Sequence, residues 1–337
     1  MEKQSKKIAV LILNWNGKEL LERFLPSVLQ FSEEADVIVV DNASDDESLS
    51  YLNKHHPEVG IISFEKNLGY AGGYNKAIQQ VEHEYLVLLN SDVRVTENWL
   101  KVPLAFLEKN PSYAACQPKI KDEKSPENFE YAGAAGGYID ALGYPFCRGR
   151  IFDNLEEDKG QYNTSMDVFW ASGAALFIQR KPFLDVGGFD ESFFAHQEEI
   201  DLCWRLLNRG FKIAFIPQSK VYHLGGASLD TAHPQKTYLN FRNNLIMMMK
   251  NLNSPVLPII LLRMILDGVA GLKFIVEGKF SHFLAILKAH ASFYARVPNI
   301  IRKRKKRRRM HKNIHYSKSV LVDYYLLNNK TFDRLRW

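Results

Sequence analysis

The sequence predicts an α/β protein built on a mostly parallel sheet flanked by helices, followed by a helical C-terminal appendage. Three observations predict it. Short apolar runs alternate with amphipathic stretches through the N-terminal half. Polar residues recur directly after those runs. Beyond about Pro234 the character changes to long apolar stretches closed by a basic run. Strands alternating with helices imply right-handed crossovers and helices on both faces of a parallel sheet.

Ile8 to Leu13 is a continuous apolar run, as expected of a strand buried on both faces, and it ends at Asn14-Trp15-Asn16-Gly17. A helix follows with Leu20, Leu21, Phe24, Val28 and Leu29 on one face. Val37 to Val40 is a second strand ending at Asp41. A helix through Leu49 and Leu52 and a strand near Ile61 to Phe64 come next. The loop Asn67 to Gly73 opens another helix. It lacks the Gly-x-Gly-x-x-Gly spacing of a dinucleotide site, but its glycines and free N–H groups suit a phosphate or sugar close to the backbone. Tyr85 to Leu89 runs straight into Asn90-Ser91-Asp92, and a helix is expected near Glu97 to Glu108. Asn14, Asn16, Asp41, Asn67 and Asp92 thus all follow strands, and in a parallel sheet those positions converge on one edge, where α/β proteins bind ligands. An aspartate there can hold a divalent cation through hard oxygen ligands.

From Ala114 to Phe169 periodicity is weak, which reads as a β-rich or looped excursion suited to acceptor recognition. Ala174 to Ile178 is a core strand and Gly187 to Asp190 a turn. A helix over Glu199 to Asn208 carries Ile200, Cys203, Trp204 and Leu207 on one face, with Asp201 and Arg205 able to pair on the other. Phe211 to Ile216 is a strand ending before Tyr222-His223.

Val256 to Val276 is apolar but carries Arg263, Asp267 and Lys273 within an arc of about 120°. In a spanning helix each central charge costs roughly 2.5–3.5 kcal/mol, against about 7 kcal/mol in favour from the apolar residues. The terms nearly cancel, and the one-sided charges predict a helix lying in a membrane interface. Phe280 to Tyr294 repeats the pattern, with Phe283, Leu284, Leu287 and Tyr294 on one face, until Pro298. The chain of 337 residues carries a net charge of +6, and removing the eight charges of Arg302 to Arg309 leaves the rest at −2. Beside amphipathic helices such a run favours an anionic membrane surface, at about 1 kcal/mol per residue. No aromatic-interleaved or groove-reading motif accompanies it, so nucleic acid is not expected as a partner. Residues 1–234 therefore read as the catalytic domain and 235–337 as the membrane-associating segment. Cys116, Cys147 and Cys203 lack metal-ligand spacing and read as reduced and structural. The polar N-terminus and the shortness of the Ile8 run argue against a signal peptide, which places the body in the cytoplasm, peripheral to the inner face of the membrane.

Several motifs follow one another in order: Asn14 to Gly17, Val40 to Ser44, Asn67 to Gly73, Asn90 to Asp92, Trp170 to Gly173, Gly187 to Phe194, Glu198 to Arg205 and Tyr222 to Gly226. In this order and spacing the chain resembles a family 2 glycosyltransferase of the GT-A fold, close to the rhamnosyltransferase-like enzymes of bacterial surface polysaccharides. The resemblance covers about Ile8 to Ser228. It implies an inverting, single-displacement transfer from a nucleotide-sugar donor, dTDP-rhamnose or a UDP-sugar, to a lipid-linked or glycan acceptor. Asp41 matches the family aspartate that contacts the nucleotide, with Asn14, Asn16, Asn67, Gly72 and Gly73 as its neighbours. Asp92 matches the last acid of the metal motif, with Asn90 where the first acid often stands, and His223 the histidine that can complete a Mg2+ or Mn2+ site. Glu198-Glu199 matches the acidic pair that holds the catalytic base. Glu199 falls on the base position, although sequence alone leaves Glu198 open. Trp170, Ser172, Phe193 and Phe194 are expected to line the sugar or acceptor pocket. Tyr138, Asp140, Gly143 and Arg148-Gly149 resemble a pattern of the rhamnosyltransferase-like subset. A nucleotidyltransferase and a non-catalytic nucleotide-sugar-binding protein are the competing functions.

Overall fold

The computed structural model describes residues 6–225, 233–253, 255–304 and 314–337. The N-terminal half alternates as its pattern predicts: β1 (Ile8–Asn14), α1 (Lys18–Gln30), β2 (Ala35–Asp41), α2 (Ser48–His55), β3 (Gly60–Ser63), α3 (Gly69–Gln79) and β4 (Tyr85–Asn90). β1 lies between β2 and β4, parallel to both, and β3 extends the parallel ladder beyond β2. β1 and β4 are buried along nearly their whole length, as double-sided cover requires. A short β5 (Val93–Val95) and α4 (Lys101–Lys109) follow.

The weakly periodic excursion opens with a long strand of the main sheet, β6 (Tyr113–Asp122), buried except at its two ends. Its pattern is hidden because Gln117, Lys119 and Lys121 are buried members of the strand. Both lysines are neutralised by Asp158, at 2.8 and 3.1 Å. Four short strands then form a separate antiparallel ribbon: β7 (Gly137–Asp140), β8 (Pro145–Cys147), β9 (Arg150–Ile151) and β10 (Asn154–Leu155). The chain returns to the main sheet through β11 (Met166–Asp167) and β12 (Ala175–Gln179), continues through α5 (Arg180–Asp185) and α6 (Glu198–Asn208), and enters β13 (Lys212–His223). β13 runs past Ile216 to His223, and its pairing with β6 shifts register between Ile216 and Lys220. The main sheet has the order β11-β13-β6-β12-β4-β1-β2-β3, with β5 paired to β13. β12 is antiparallel to its neighbours β4 and β6, so the sheet is mixed.

Three helices follow: α7 (Pro234–Asn251), α8 (Val256–Val276) and α9 (Phe280–Lys303). α9 continues through Pro298, where a stop was expected. The tail then adds β14 (His315–Tyr316), parallel to β7, and Trp337 packs its ring on Tyr138, Phe146 and Tyr316. Asp140 knots this junction: its carboxylate accepts the N–H groups of Leu142, Tyr144 and Val320 at 2.8–2.9 Å. Arg148 lies between the rings of Tyr162 and Phe215, and Gly149 at φ 101° abuts Phe129. The rhamnosyltransferase-like pattern therefore builds the ribbon that carries the tail.

The charges of α8 face opposite to expectation. Arg263 and Asp267 are 5% and 1% exposed, on the protein side, whereas Ile265 and Val276 are 66% and 88% exposed. Arg263 bonds Asp267 at 2.8 Å and Asn244 at 2.5 Å, and stacks 3.7 Å over the Tyr144 ring. His290 of α9 closes the network on Asp267 at 3.2 Å. Lys273 alone of the three lies outside, beside Glu277. Among the described residues no helix is long and apolar enough to cross a membrane. Of the basic run, Arg302 to Arg304 are described, and Lys305 to Arg309 lie outside the described residues.

Candidate functional site

The carboxyl ends of β1, β2, β4, β6 and β13 share one edge of the sheet. Asn14 and Asp41 face each other across the β1–β2 ladder, both buried. Asn14 Nδ2 donates to Asp41 Oδ1 and to Ser44 Oγ, each at 3.2 Å, and Asp41 Oδ2 accepts the Ser44 N–H at 3.0 Å. Asn14 Oδ1 is buried with no protein partner, a free acceptor beneath the edge. Asn16 is exposed at φ 50° and accepts the Asp45 N–H at 2.9 Å, tying the first loop to the second. Asn67 Oδ1 accepts from Gly69 N–H at 2.8 Å and from Asn42 Nδ2 at 3.0 Å. Asn42, buried and next to Asp41, also accepts the Leu68 N–H at 2.9 Å, so it fixes the third loop against the second.

Four expected donor contacts have other partners. Gly72 and Gly73 lie inside α3, and a Cβ on them would sit 3.0 Å from Leu68 and 2.7 Å from Leu13. Their bareness lets α3 approach the sheet, and the close neighbour is protein rather than a phosphate. The Trp170 indole is buried against Gly137 and donates Nε1–H to the Tyr138 carbonyl at 2.9 Å. Ser172 is buried as well. Its N–H donates to Gln117 Oε1 at 2.8 Å and its hydroxyl to the Ala132 carbonyl. Both brace the turn into β12 instead of facing a pocket. Phe193 is core, while Phe194 is half exposed.

Asp92 and His223 come from the paired ends of β5 and β13. Asp92 Oδ1 lies 3.1 Å from His223 Nε2, and Asn90 Nδ2 lies 3.4 Å from the same nitrogen. Glu130, which the sequence did not single out, places Oε1 3.1 Å from His223 Nδ1. Burial opposes a charge on His223, but Glu130 and Asp92 outweigh it and push the ring up to about 10. The Asp92 carboxyl is itself held low: burial opposes its charge, but contact with His223 outweighs it. A separation of 3.1 Å suits two adjacent ligands on a cation with bonds of about 2.1 Å. Among the described residues no group of three His, Cys, Asp or Glu could hold an ion alone. A partial set of one carboxylate and one imidazole fits Mg2+ or Mn2+, which take further ligands from substrate phosphates and water.

Glu198 and Glu199 start α6, after a loop in which Phe194, His196 and Gln197 have φ of 64°, 69° and 68°. Such left-handed residues are costly and persist only where their surroundings hold them. Here α7 does so. Asn243 Nδ2 reaches the carbonyls of Phe193, Ala195 and His196 at 2.8–3.1 Å, and Arg242 Nη2 those of Ser192 and Phe193 at 2.9–3.0 Å. Asn244 Nδ2 donates to Gln197 Oε1 at 3.2 Å. The loop also touches the start of α3, where Tyr70 N–H donates to the Phe194 carbonyl at 3.0 Å. Burial pushes the Glu198 carboxyl well up, and the neighbouring Glu199 adds to it. Burial raises Glu199 to about 7 against backbone N–H groups that pull it down. Both Oε2 atoms are buried without a partner. Burial raises the Cys147 thiol to about 11. Asp201 is fully buried, bonding Arg205 and Lys250 at 2.7 Å and Asn251 at 2.6 Å; the expected surface pair is a buried hub.

A mixed, mostly parallel sheet flanked by helices, with polar and acidic side chains gathered at the carboxyl ends of its strands, is the architecture of a GT-A glycosyltransferase. Residues 9–177, just over half of the chain, match the model of "Glycosyl transferase family 2", and the chain belongs to that family. It is similar to N-acetylglucosaminyl-diphospho-decaprenol L-rhamnosyltransferase of Mycobacterium tuberculosis, 27% identical over 69% of this chain and 83% of that one. It is similar also to rhamnosyltransferase WbbL of Escherichia coli, 21% identical over 64% of this chain and 83% of the other. Two solved structures share the fold. Mannosyltransferase PcManGT from Pyrobaculum calidifontis, in complex with GDP-Man and Mn2+, has TM-score 0.54 and 12% identity, covering 87% of this chain and 88% of that one. GalNAc-T7 with UDP, GalNAc and Mn2+ has TM-score 0.55 and 18% identity, covering 74% of this chain and 48% of that one.

Proposed function

We propose that this glycosyltransferase moves a sugar, with inversion, from a nucleoside-diphosphate donor onto a lipid-linked or glycan acceptor in cell-surface glycan synthesis, working against the inner face of the membrane. The relatives named as rhamnosyltransferases support a rhamnosyl donor, and dTDP-rhamnose or a UDP-sugar is the donor proposed. The observation that carries the reading is the placement of Asp41 and of the Asp92–His223 pair at the carboxyl edge of one sheet, with unpartnered acceptor atoms on Asn14 there and on Glu199 at the start of α6.

Asp41 and Asn14 are assigned to the nucleotide, as acceptors for ribose hydroxyls or a base N–H. Asp92 and His223 are assigned to a Mg2+ or Mn2+ ion, which when bound neutralises charge on the leaving diphosphate. Glu199 takes the proton of the attacking acceptor hydroxyl. Of the acidic pair it fits that work better: Glu198 is more deeply buried and keeps its proton, whereas Glu199 titrates near neutrality.

The outward apolar face of α8 and α9 supports the membrane site, because a helix that turns its charges inward and its leucines outward is matched to lipid rather than water. Within residues 235–337, expected as one docking segment for the catalytic domain of 1–234, α8 and α9 then supply the docking face, while α7 and the tail pack into the body.

The reading is tested by incubating purified protein and Mn2+ with UDP- and dTDP-sugars and a polyprenyl-diphosphate-linked sugar. Release of nucleoside diphosphate with transfer is expected, and Asp92→Ala should abolish it in a folded protein. Release of pyrophosphate from a nucleoside triphosphate would instead mark a nucleotidyltransferase, and full transfer by Asp92→Ala would remove Asp92 from the cation site.

A further inference from the structure

Glu130 lies in the crossing from β6 to β7 and is 4% exposed. Its backbone is fixed by N–H donation to the Ile120 carbonyl at 3.1 Å. Its side chain is fixed too, since Oε2 accepts the Ala132 N–H at 2.5 Å. Oε1 is left facing the His223 ring, 3.1 Å from Nδ1, a buried nitrogen that makes no hydrogen bond in this geometry. On the other side of that ring Nε2 faces Asp92 Oδ1, also at 3.1 Å. One buried imidazole therefore has an acid at each nitrogen, and the two acids differ. Asp92 ends the turn after β4 at the open sheet edge, and Glu130 is tied into the backbone behind the ring.

An imidazole that ligates a cation through one nitrogen keeps its single proton on the other. A carboxylate behind a ligating histidine fixes which is which and orients the ring. We propose that Glu130 is a positioning residue for the cation site: it holds the proton on His223 Nδ1, so that the Nε2 lone pair is presented beside Asp92. This rests on the assignment of Asp92 and His223 to the ion. It gives the ribbon crossing a task that neither its weak periodicity nor the ordered motifs disclosed.

The test is a Mn2+ titration, with and without UDP, following free Mn2+ by electron paramagnetic resonance in wild type, His223→Ala, Glu130→Ala and Glu130→Gln. His223→Ala should lose the site. Glu130→Ala should bind Mn2+ about 10–100-fold more weakly. Glu130→Gln, whose amide oxygen can still accept from Nδ1, should bind more tightly than the alanine variant. Histidine-ring 15N spectra of the Mg2+-loaded protein should show the Nδ1–H tautomer of His223 in wild type. Wild-type affinity in Glu130→Ala beside loss in His223→Ala overturns the proposal while leaving the cation site standing. No difference between wild type and His223→Ala removes the cation site itself. Should Glu130→Ala fail to fold, the tautomer seen in wild type decides, and an Nε2–H ring overturns the proposal.

Discussion

Glu199 is the proposed base, and the burial that would fit it to that chemistry carries a cost in stability. Burial lifts it from an ordinary 4.5 to about 7. Below that pH it is protonated and cannot accept the acceptor's proton, so transfer should rise through pH 7 and level off about one unit above. A flat rate between pH 5.5 and 8 would remove Glu199 as the base. The stability sign is opposite. The folded state binds this proton more tightly than the unfolded chain, so the contribution is complete below 4.5 and lost as pH rises through 7. Glu199→Gln should therefore abolish transfer and melt a few degrees above wild type at pH 8, with the two converging at pH 5. Thermal scans at both pH values check it, and a variant no more stable at pH 8 would show that the wild-type carboxylate is not strained. The acid at this position was legible because Glu198-Glu199 matches the acidic pair of the family the sequence resembles, at the start of a helix that periodicity disclosed. Glu130 was not, because a single Glu in an aperiodic stretch resembles any surface acid until the fold sets a histidine against it.

At the scale of elements, α7 holds the loop before the proposed base. Three left-handed residues precede Glu198, and the loop is held by consecutive residues of one helix: Arg242 and Asn243 donate to its carbonyls and Asn244 to the Gln197 side chain. Asn243→Ala would leave the carbonyls of Ala195 and His196 without their side-chain donor, and that of Phe193 with Arg242 alone, a loss of about 1–3 kcal/mol for a buried group. The loop would relax and shift the α6 start, and displacements near 1 Å can cost about 10²-fold in rate. We expect kcat to fall by about that factor while the donor KM, set at the β1–β2 edge, stays near wild type. An unchanged kcat in a folded variant would detach α7 from catalysis. Sequence reasoning passed over α7 because polar residues interrupt its buried face: Arg242, Asn243, Asn244, Lys250 and Asn251 are buried beside Leu245, Ile246 and Met247. Hydrophobic periodicity finds helices that pack through apolar stripes, and it found α1 and α6. It is blind to one that packs through amides against carbonyls. The same limit hid β6, whose interior lysines read as solvent.

For the whole molecule, the question is what covers the outer face of α8 and α9. The charges of α8 were legible as one-sided; which side they take is decided by the protein, because Asn244 and Tyr144 offer Arg263 partners that lipid or water at the other face would not. With Arg263 and Asp267 turned in, Leu257, Leu261, Ile265, Val269, Leu272 and Val276 all face out. Each such side chain is worth roughly 1.5–3 kcal/mol on full burial. Lipid contact by this face should then bind neutral as well as anionic vesicles, with the basic run Arg302 to Arg309 adding a salt-sensitive increment on anionic ones. The variant Leu261→Gln/Ile265→Gln/Leu272→Gln should lose about 100-fold in partitioning onto both phosphatidylcholine and phosphatidylglycerol vesicles, since three lost contacts of about 1 kcal/mol make that factor. Replacing Lys305 to Arg309 with glutamine should weaken binding to phosphatidylglycerol alone. Co-sedimentation separates the two terms. Binding by the triple variant equal to wild type on neutral vesicles would mean that the helix face is not the lipid contact and that charge alone brings the enzyme to a membrane.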